Sequence, residues 1–348
     1  MMIYLIIGLS SAIIIAIVYR SVPYIRYAYP TAKAESIGNP FLTSRSLDQL
    51  LEVRSLNSFK SMINAHKDFE VEGEDAEEIQ RSLDQHMLGV IQTLKKECPK
   101  DDREFFDGFL EYLDGYGFKA FLISKLENKE AEIRLLSDNF RRMAGLIRGS
   151  DPDKIPGILK RFGIDVSGDL NPVEIDVGIS KYVLKRLKQA RVSRVSRSAK
   201  DEFVDRLVDI ENVRNILKAK IYGFGNCEGL FLGEGKEIAE WRFRDICRSR
   251  DLEGLISGLE GTSYHEIIKK GYDDSKRHGN IQLLEKSLDE ILLKEAKNLS
   301  IKNFPFLGTL IKFLVSRYFE LRNLKIIAKG IEEGLSKDRI KPLLLVGG

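Results

Sequence analysis

The chain has 348 residues, and its 55 Lys and Arg residues against 52 Asp and Glu residues leave a net charge of only +3. That balance argues against an obligate nucleic-acid binder, which usually carries a strongly basic domain. Charged residues make up 31% and hydrophobic residues 43% of the chain, which excludes a disordered or low-complexity protein.

The first nineteen residues contain no charged side chain. As a helix they would span about 28 Å, close to the thickness of the hydrocarbon core of a bilayer. No positive residue precedes the run and no clear cleavage site follows it, so we predict a transmembrane helix over residues 1–20 rather than a signal peptide. Arg20, Arg26 and Lys33 follow, which predicts a single-pass protein of the cell membrane with its body in the cytoplasm.

Beyond residue 40 the apolar residues recur at helical spacing, and no series of alternating strand-like runs is present, which predicts an all-α body. The segment Ser46-Leu-Asp-Gln49 has the form of a capping box and predicts a helix start. Asn303-Phe-Pro-Phe306 predicts a helix break, and the glycines between Gly223 and Gly235 predict a loop.

An internal repeat with a period of about a hundred residues indicates three related helical domains. Apolar positions that begin at Leu47 align without a gap on positions that begin at Leu252, and a middle copy begins at Ile155. Each copy is followed by an aspartate on an apolar-patterned segment and then by a basic residue in a further helix. The aspartates are Asp84, Asp176 and Asp289, and the basic residues are Lys119, Arg214 and Arg322. We predict domains at 21–148, 149–246 and 247–348.

One helical segment, Asp209-Ile-Glu-Asn-Val-Arg-Asn-Ile-Leu-Lys-Ala-Lys220, resembles the D-x-x-N-L-R-x-x-L-[RK]-A-K signature of the C subunit of archaeal-type (A-type) ATP synthases, the counterpart of the d subunit of V-type ATPases. Four further segments match the same family in the same order. They are Tyr27 to Lys33, the degenerate copy Asp114 to Lys125, Leu292 to Lys297 with Phe304-Pro-Phe306, and Glu320 to Gly330. The first repeat departs from the pattern, with Gly117 and Lys119 where the family has Asn and often Arg or Gln.

The resemblance implies three helical domains in a pseudo-threefold funnel that sits on the membrane proteolipid ring and receives the central stalk. It implies a non-catalytic rotor subunit that couples stalk to ring during proton or sodium transport. A membrane helix on such a rotor protein would have to lie with the ring. We interpret the residues of the family motif as structural, with Arg214 and Arg322 tying helices together within each domain. These residues are Tyr29, Asp114, Lys119, Asp209, Asn212, Arg214, Glu320 and Arg322.

Between Lys181 and Lys200 the chain has eight basic residues and no acid. On a helix this segment would form a spiralling positive stripe, suited to an acidic partner or anionic lipid, or simply a solvated face. The candidate partner-binding residues are Lys185, Lys188, Arg191, Arg194 and Arg197. A membrane-anchored adaptor that uses this stripe is therefore an alternative function.

Signals for an enzyme are weak. Cys98, Cys227 and Cys247 are odd in number and lack metal spacing, so the sequence predicts no disulfide framework and favours a reducing compartment. Asp274 and His278 share a helix face, but no HExxH motif surrounds them, which leaves a metal-dependent membrane hydrolase as a distant alternative. We predict no catalytic residue, cofactor or metal, no small-molecule substrate and no nucleic acid.

Overall fold

A computed structural model of the chain describes residues 2–37, 43–66, 68–129, 133–166 and 170–345, with side chains from residue 15 onward apart from residues 16 and 44. Within these ranges the secondary structure is helical and contains no strand, which confirms the predicted all-α class. The α-helices of the described residues are α1 Met2–Ser36, α2 Ser44–Leu51, α3 Leu56–Asn64, α4 Ala76–Glu97, α5 Arg103–Leu126, α6 Asp138–Arg148, α7 Ile155–Arg161, α8 Pro172–Gln189, α9 Arg197–Tyr222, α10 Glu240–Arg248, α11 Leu252–Gly258, α12 His265–His278, α13 Gln282–Lys302, α14 Leu307–Glu332 and α15 Lys337–Ile340.

Residues 2–20, predicted as a transmembrane helix, form the first part of α1, which continues without a break to Ser36. Over the residues that the structure describes, no helix combines the length and apolar character needed for a bilayer crossing. That finding gives no support to the single-pass anchor, most of whose side chains lie outside the described residues. Further along α1, Tyr27 and Ala34 are buried in the protein core.

The predicted helix boundaries are close to those observed. Helix α2 begins at Ser44, three residues before the start predicted from a Ser46 cap, because the Thr43 side chain is the cap that accepts the Ser46 backbone N–H. The break at Asn303–Phe306 separates α13 from α14. Helix α9 ends at Tyr222, and Gly223 takes the left-handed conformation, φ 70°, that terminates a helix without a Cβ clash.

Apart from α1, the long helices of the described residues come in consecutive pairs, each preceded by short helices. These pairs are α4 with α5, α8 with α9, and α13 with α14, and the members of each pair pack together. Between pairs, α5 packs against α8, α9 against α13, and α14 returns to pack against α4. The six long helices therefore form a closed cycle of contacts. The three-domain division at 21–148, 149–246 and 247–348 stays a prediction.

The buried apolar side chains form two separate clusters. The larger cluster extends from Tyr27 to Leu345 and includes residues of every long helix. The smaller cluster lies within residues 118–183 and joins the end of α5, the helices α6 and α7, and the first half of α8. Each cluster is held by the apolar faces of helices that the sequence periodicity indicates.

The structure joins Cys227 to Cys247 by a disulfide, with the two Cα atoms 5.6 Å apart. The sequence prediction of no disulfide was therefore wrong for this pair. The two cysteines are twenty residues apart and have no motif spacing, and only the packing of the loop after α9 against α10 brings them together.

Candidate functional site

The carboxylate of Asp209, in the middle of α9, holds the loop that precedes α10. It accepts hydrogen bonds from the backbone N–H groups of Lys236 (2.9 Å), Glu237 (2.8 Å) and Ile238 (2.9 Å), and from the Tyr264 hydroxyl (2.6 Å). Asp209 is fully buried, and burial raises the pKa of its carboxyl, while its donors from Tyr264 and the backbone oppose that rise. One side chain thus satisfies three loop amides, one of which belongs to the buried Ile238.

Asn212, one turn further along α9, binds the same loop. Its side-chain nitrogen donates to the Gly233 carbonyl, and its oxygen accepts the Leu232 N–H, each at 2.9 Å. The loop reaches this position because Gly235 has no side chain, since a Cβ there would lie 2.1 Å from the Asp209 carboxylate oxygen. The two motif residues therefore attach a loop to a long helix.

The equivalent positions of the other two motif helices repeat this arrangement in part. Asp114 of α5 accepts the backbone N–H groups of Leu136 and Ser137, and burial raises the pKa of its carboxyl. Asn323 of α14 donates to the Leu345 carbonyl (2.6 Å) and accepts the Leu345 N–H (3.0 Å). Glu320, which stands where Asp209 does in its helix, is buried and its carboxylate binds Arg317 at 2.6 Å.

A cation five residues after each of these acids forms an ion pair at a junction between helix pairs. Lys119 of α5 binds Asp176 of α8 at 2.6 Å, and Arg214 of α9 binds Asp289 of α13 at 3.0 Å. Lys325 of α14 binds Asp84 of α4 and closes the cycle. The three aspartates that the sequence repeat singles out therefore each meet a cation from a neighbouring pair of helices.

The sequence analysis chose Arg322 as the third basic residue and missed Lys325. The missed signal is the constant spacing of five residues from Asp114 to Lys119, from Asp209 to Arg214 and from Glu320 to Lys325. Arg322 also contacts Asp289, so this aspartate receives guanidinium groups from both α9 and α14. Arg214 thus links α9 to a helix in the next predicted domain, whereas Arg322 acts within its own.

The charged groups at these junctions strongly shift the pKa values of their partners. Burial would raise the pKa of the Asp176 carboxyl, but Lys119 and Lys218 outweigh it and hold that pKa below its ordinary value. Burial also opposes the charge of Arg214, yet Glu211 and Asp289 raise the pKa of its guanidinium. Both groups are therefore charged at neutral pH, Asp176 through its two lysines and Arg214 through its two carboxylates.

A small cavity of about 120 Å³ lies beside Lys119, Arg214 and Lys218. Tyr112 lines it and donates to Glu211 at 3.0 Å, and burial raises the pKa of the Tyr112 hydroxyl. Ligand pockets usually measure about 300–1,000 Å³, so this space suits a few waters better than a nucleotide.

The predicted basic stripe is not one helix face. Helix α8 ends at Gln189 and α9 begins at Arg197, so a turn interrupts the segment. Lys185 lies exposed on α8, and Lys188 binds Asp205 at 3.0 Å. Arg191, Arg194 and Arg197 are exposed on the turn and at the start of α9. The predicted spiralling stripe was wrong, because the three-residue period of the basic residues does not reveal the turn that begins within this segment.

The remaining candidates lie on the surface. Tyr29 is 56% exposed on α1. The Nδ1 atom of His278 is 2.9 Å from the backbone carbonyl oxygen of Asp274, whose carboxylate binds Arg277 at 3.4 Å. Among the described residues no group of three metal-ligating side chains converges.

Comparison with known proteins identifies the class to which this helical framework belongs. The family model described as ATP synthase (C/AC39) subunit matches residues 30–343, and the chain belongs to that family. The resemblance found in the sequence motifs is thereby confirmed.

Particular relatives are named as the C subunit of A-type ATP synthase. The protein of Methanocaldococcus jannaschii is 26% identical, with 92% of this chain and 86% of the relative covered. That of Methanothermobacter thermautotrophicus is 25% identical, with 97% of this chain and 92% of the relative covered. That of Pyrococcus abyssi is 24% identical, over 92% of this chain and 90% of the relative.

Proposed function

We propose that the chain is a non-catalytic rotor subunit of an A-type or V-type rotary ATPase that joins the central stalk to the membrane proteolipid ring. In this role it transmits torque during proton or sodium transport. The relatives named as C subunits of A-type ATP synthase support the assignment to such a complex. The observation that carries the mechanical role is the closed cycle of long helices with an ion pair at each junction.

A torque-bearing part must resist deformation in every direction around its axis. Close-packed helix interiors transmit strain because they have little free volume. In an open row of helix pairs the two end pairs would each lack a neighbour on one side, whereas the contact of α14 with α4 gives every pair two neighbours. We propose that the three pairs are the centres of the three domains of the funnel, at 21–148, 149–246 and 247–348.

The ionisable groups at the junctions support a structural rather than a chemical role. The charges are neutralised in pairs, Lys119 by Asp176 and Arg214 by Asp289. The adjoining cavity is smaller than a nucleotide pocket. In this proposal the nucleotide is bound by other proteins of the complex, and the family-motif residues act by keeping the helices and loops of this chain in place.

The proposal is tested by affinity purification of the tagged full-length chain from detergent-solubilised membranes of its own organism. We expect the proteolipid and the central-stalk proteins to co-purify in fixed ratio, and cross-links to form from this chain to both. Recovery without proteolipid, or cross-links only to stationary parts of the complex, would overturn the coupling role. A matched sample carrying Asp209→Ala, which removes the acceptor of three loop amides, is expected to lose the complex.

A further inference from the structure

Three segments that are far apart in the sequence contact one another. The Tyr27 hydroxyl of α1 lies 3.1 Å from the Ser193 hydroxyl, and the Thr31 hydroxyl donates to the Pro305 carbonyl at 2.7 Å. The Tyr27 ring also meets the Phe306 ring edge-on, with centroids 5.4 Å apart. Residues 20–31, 190–197 and 301–306 therefore form one surface, which we call the basic face.

The basic face contains six cations and no Asp or Glu in its three segments. These cations are Arg20, Arg26, Arg191, Arg194, Arg197 and Lys302. Such an imbalance stands out in a chain whose total charge is only +3.

Neighbouring acids neutralise only part of this charge. The Glu104 carboxylate lies 3.9 Å from Arg191, and Glu202 binds Lys302 at 3.0 Å. Asp102 lies beneath the turn, where its carboxylate accepts the Ser193 N–H and the Ser196 hydroxyl. Over the described residues no ion pair involves the remaining cations of the face, all of which are exposed. They are Arg20, Arg26, Arg194 and Arg197.

The positions of Arg194 and Arg197 are not explained by helix stability. Arg197 is the first residue of α9, Arg194 lies on the turn just before it, and the first turn of α9 contains no acidic residue. A helix N-terminus carries a partial positive charge, so cations there are unfavourable. This cost is consistent with selection for a partner that supplies negative charge.

Large apolar side chains project between these cations. Tyr24, Ile25 and Tyr29 of α1 are 54%, 68% and 56% exposed, and Ile301 and Phe304 are 73% and 62% exposed. Aromatic and aliphatic groups interspersed with Arg and Lys are typical of surfaces that enter the headgroup layer of a membrane. A purely acidic protein partner would leave these apolar side chains without a matching environment.

We propose that the basic face binds the anionic headgroups of a lipid surface, with its arginines on the phosphates and its exposed apolar residues at the headgroup boundary. This inference goes beyond the coupling role, because it names lipid as a direct ligand of the chain. It requires only the contacts that bring the three segments together and does not require residues 1–20 to cross the membrane.

The test uses the full-length chain and flotation with vesicles of phosphatidylcholine alone or mixed with phosphatidylglycerol. We expect tighter binding to the anionic vesicles that weakens as salt is raised. The double substitution Arg194→Gln/Arg197→Gln should lower that affinity about thirty-fold at low salt and leave binding to phosphatidylcholine unchanged. The matched control is Lys269→Gln/Lys270→Gln, which removes two exposed cations from α12 and should leave the affinity within about two-fold of the unmodified chain.

Equal binding to both kinds of vesicle would overturn the proposal, and so would a double variant that binds as the control does. If the arginine variant keeps its vesicle binding but no longer co-purifies with ATPase subunits, the partner of the face is an acidic protein and the lipid proposal fails. If the unmodified chain binds anionic vesicles but co-purifies with no ATPase component, the lipid proposal stands and the coupling role falls. Unchanged helical circular dichroism of the variant shows that it is folded.

Discussion

Single carboxylates fix the loops of this protein to its long helices. Asp209 alone accepts three loop amides and one tyrosine hydroxyl. A buried carboxylate is tolerated here because these four donors meet its oxygens, which offsets the loss of hydration.

Replacing Asp209 with Ala should lower the free energy of unfolding by about 3–5 kcal/mol, because three loop N–H groups, one of them on the buried Ile238, and the buried Tyr264 hydroxyl lose their acceptor. Tyr264→Phe removes one donor to the same carboxylate and should cost about 1 kcal/mol. Urea unfolding followed by circular dichroism measures both. Glu234→Gln, on the same loop, is a control expected within about 0.5 kcal/mol of the unmodified chain. Similar stabilities of the Asp209→Ala and Glu234→Gln variants would contradict this account of the loop.

At this scale the sequence indicates which residues matter but not what they contact. The motif positions Asp209 and Asn212 are evident from the family signature, whereas their partners at 232–238 lie in a glycine-containing loop with no pattern of its own. Lys325 shows a different limit. The spacing of Lys325 from Glu320 can be seen in the sequence. Its partner Asp84, however, is 241 residues away, and no local sequence pattern connects the two residues.

At the scale of the elements, interhelical ion pairs determine how neighbouring helix pairs are aligned. The Lys119–Asp176 pair is partly buried, with side-chain exposures of 17% and 28%, so it interacts in a lower dielectric than a surface pair does. Lys218 also binds Asp176 at 3.3 Å, which connects α9 to the same junction.

A double-mutant cycle with Lys119→Met and Asp176→Asn should give a coupling energy of about 1–2 kcal/mol in unfolding experiments, since each single change leaves a partly buried charge less well paired. The exposed pair Asp151–Lys154, with exposures of 73% and 70%, is the matched control and should couple by less than about 0.5 kcal/mol. Equal coupling energies in the two cycles would show that burial does not strengthen the interaction of the junction pair.

Helix identity follows from the sequence because apolar periodicity is a local property. The end of α9 is marked by a glycine, which can adopt the left-handed conformation, and the break before α14 by a proline, which restricts the backbone locally. Two hydroxyl residues, Thr43 and Ser46, could each cap α2, and the turn at 190–196 is held by Asp102, which is distant in the sequence. Sequence patterns therefore predict which elements exist better than where each one ends.

At the scale of the whole molecule, the two apolar clusters differ in size and therefore contribute unequally to the stability of the fold. Residues 118–183 contain a cluster of their own, in which Phe118 and Phe140 stack with ring centroids 4.3 Å apart. Regions with separate cores can open with different free energies.

We expect Phe140→Ala to cost about 3–5 kcal/mol and to raise amide hydrogen exchange chiefly within residues 118–183. The matched substitution Phe243→Ala removes an equally buried ring from the larger cluster and should act mainly outside that segment. Hydrogen exchange read by mass spectrometry separates the two patterns. If both substitutions accelerate exchange uniformly along the chain, the two clusters unfold as one unit.

The contact between α14 and α4 has a consequence for the synthesis of the protein. Helix α4 leaves the ribosome early, and the side chains of Ile79 and Leu83 on its buried face belong to the core that α14 helps to complete. At translation rates of roughly 5–20 residues per second, the intervening 241 residues take roughly 10–50 s to make. During that interval the face of α4 that packs against α14 lacks its cover, although α1 and α5 can already pack against other parts of α4, so we expect the nascent chain to need chaperone protection until α14 is made.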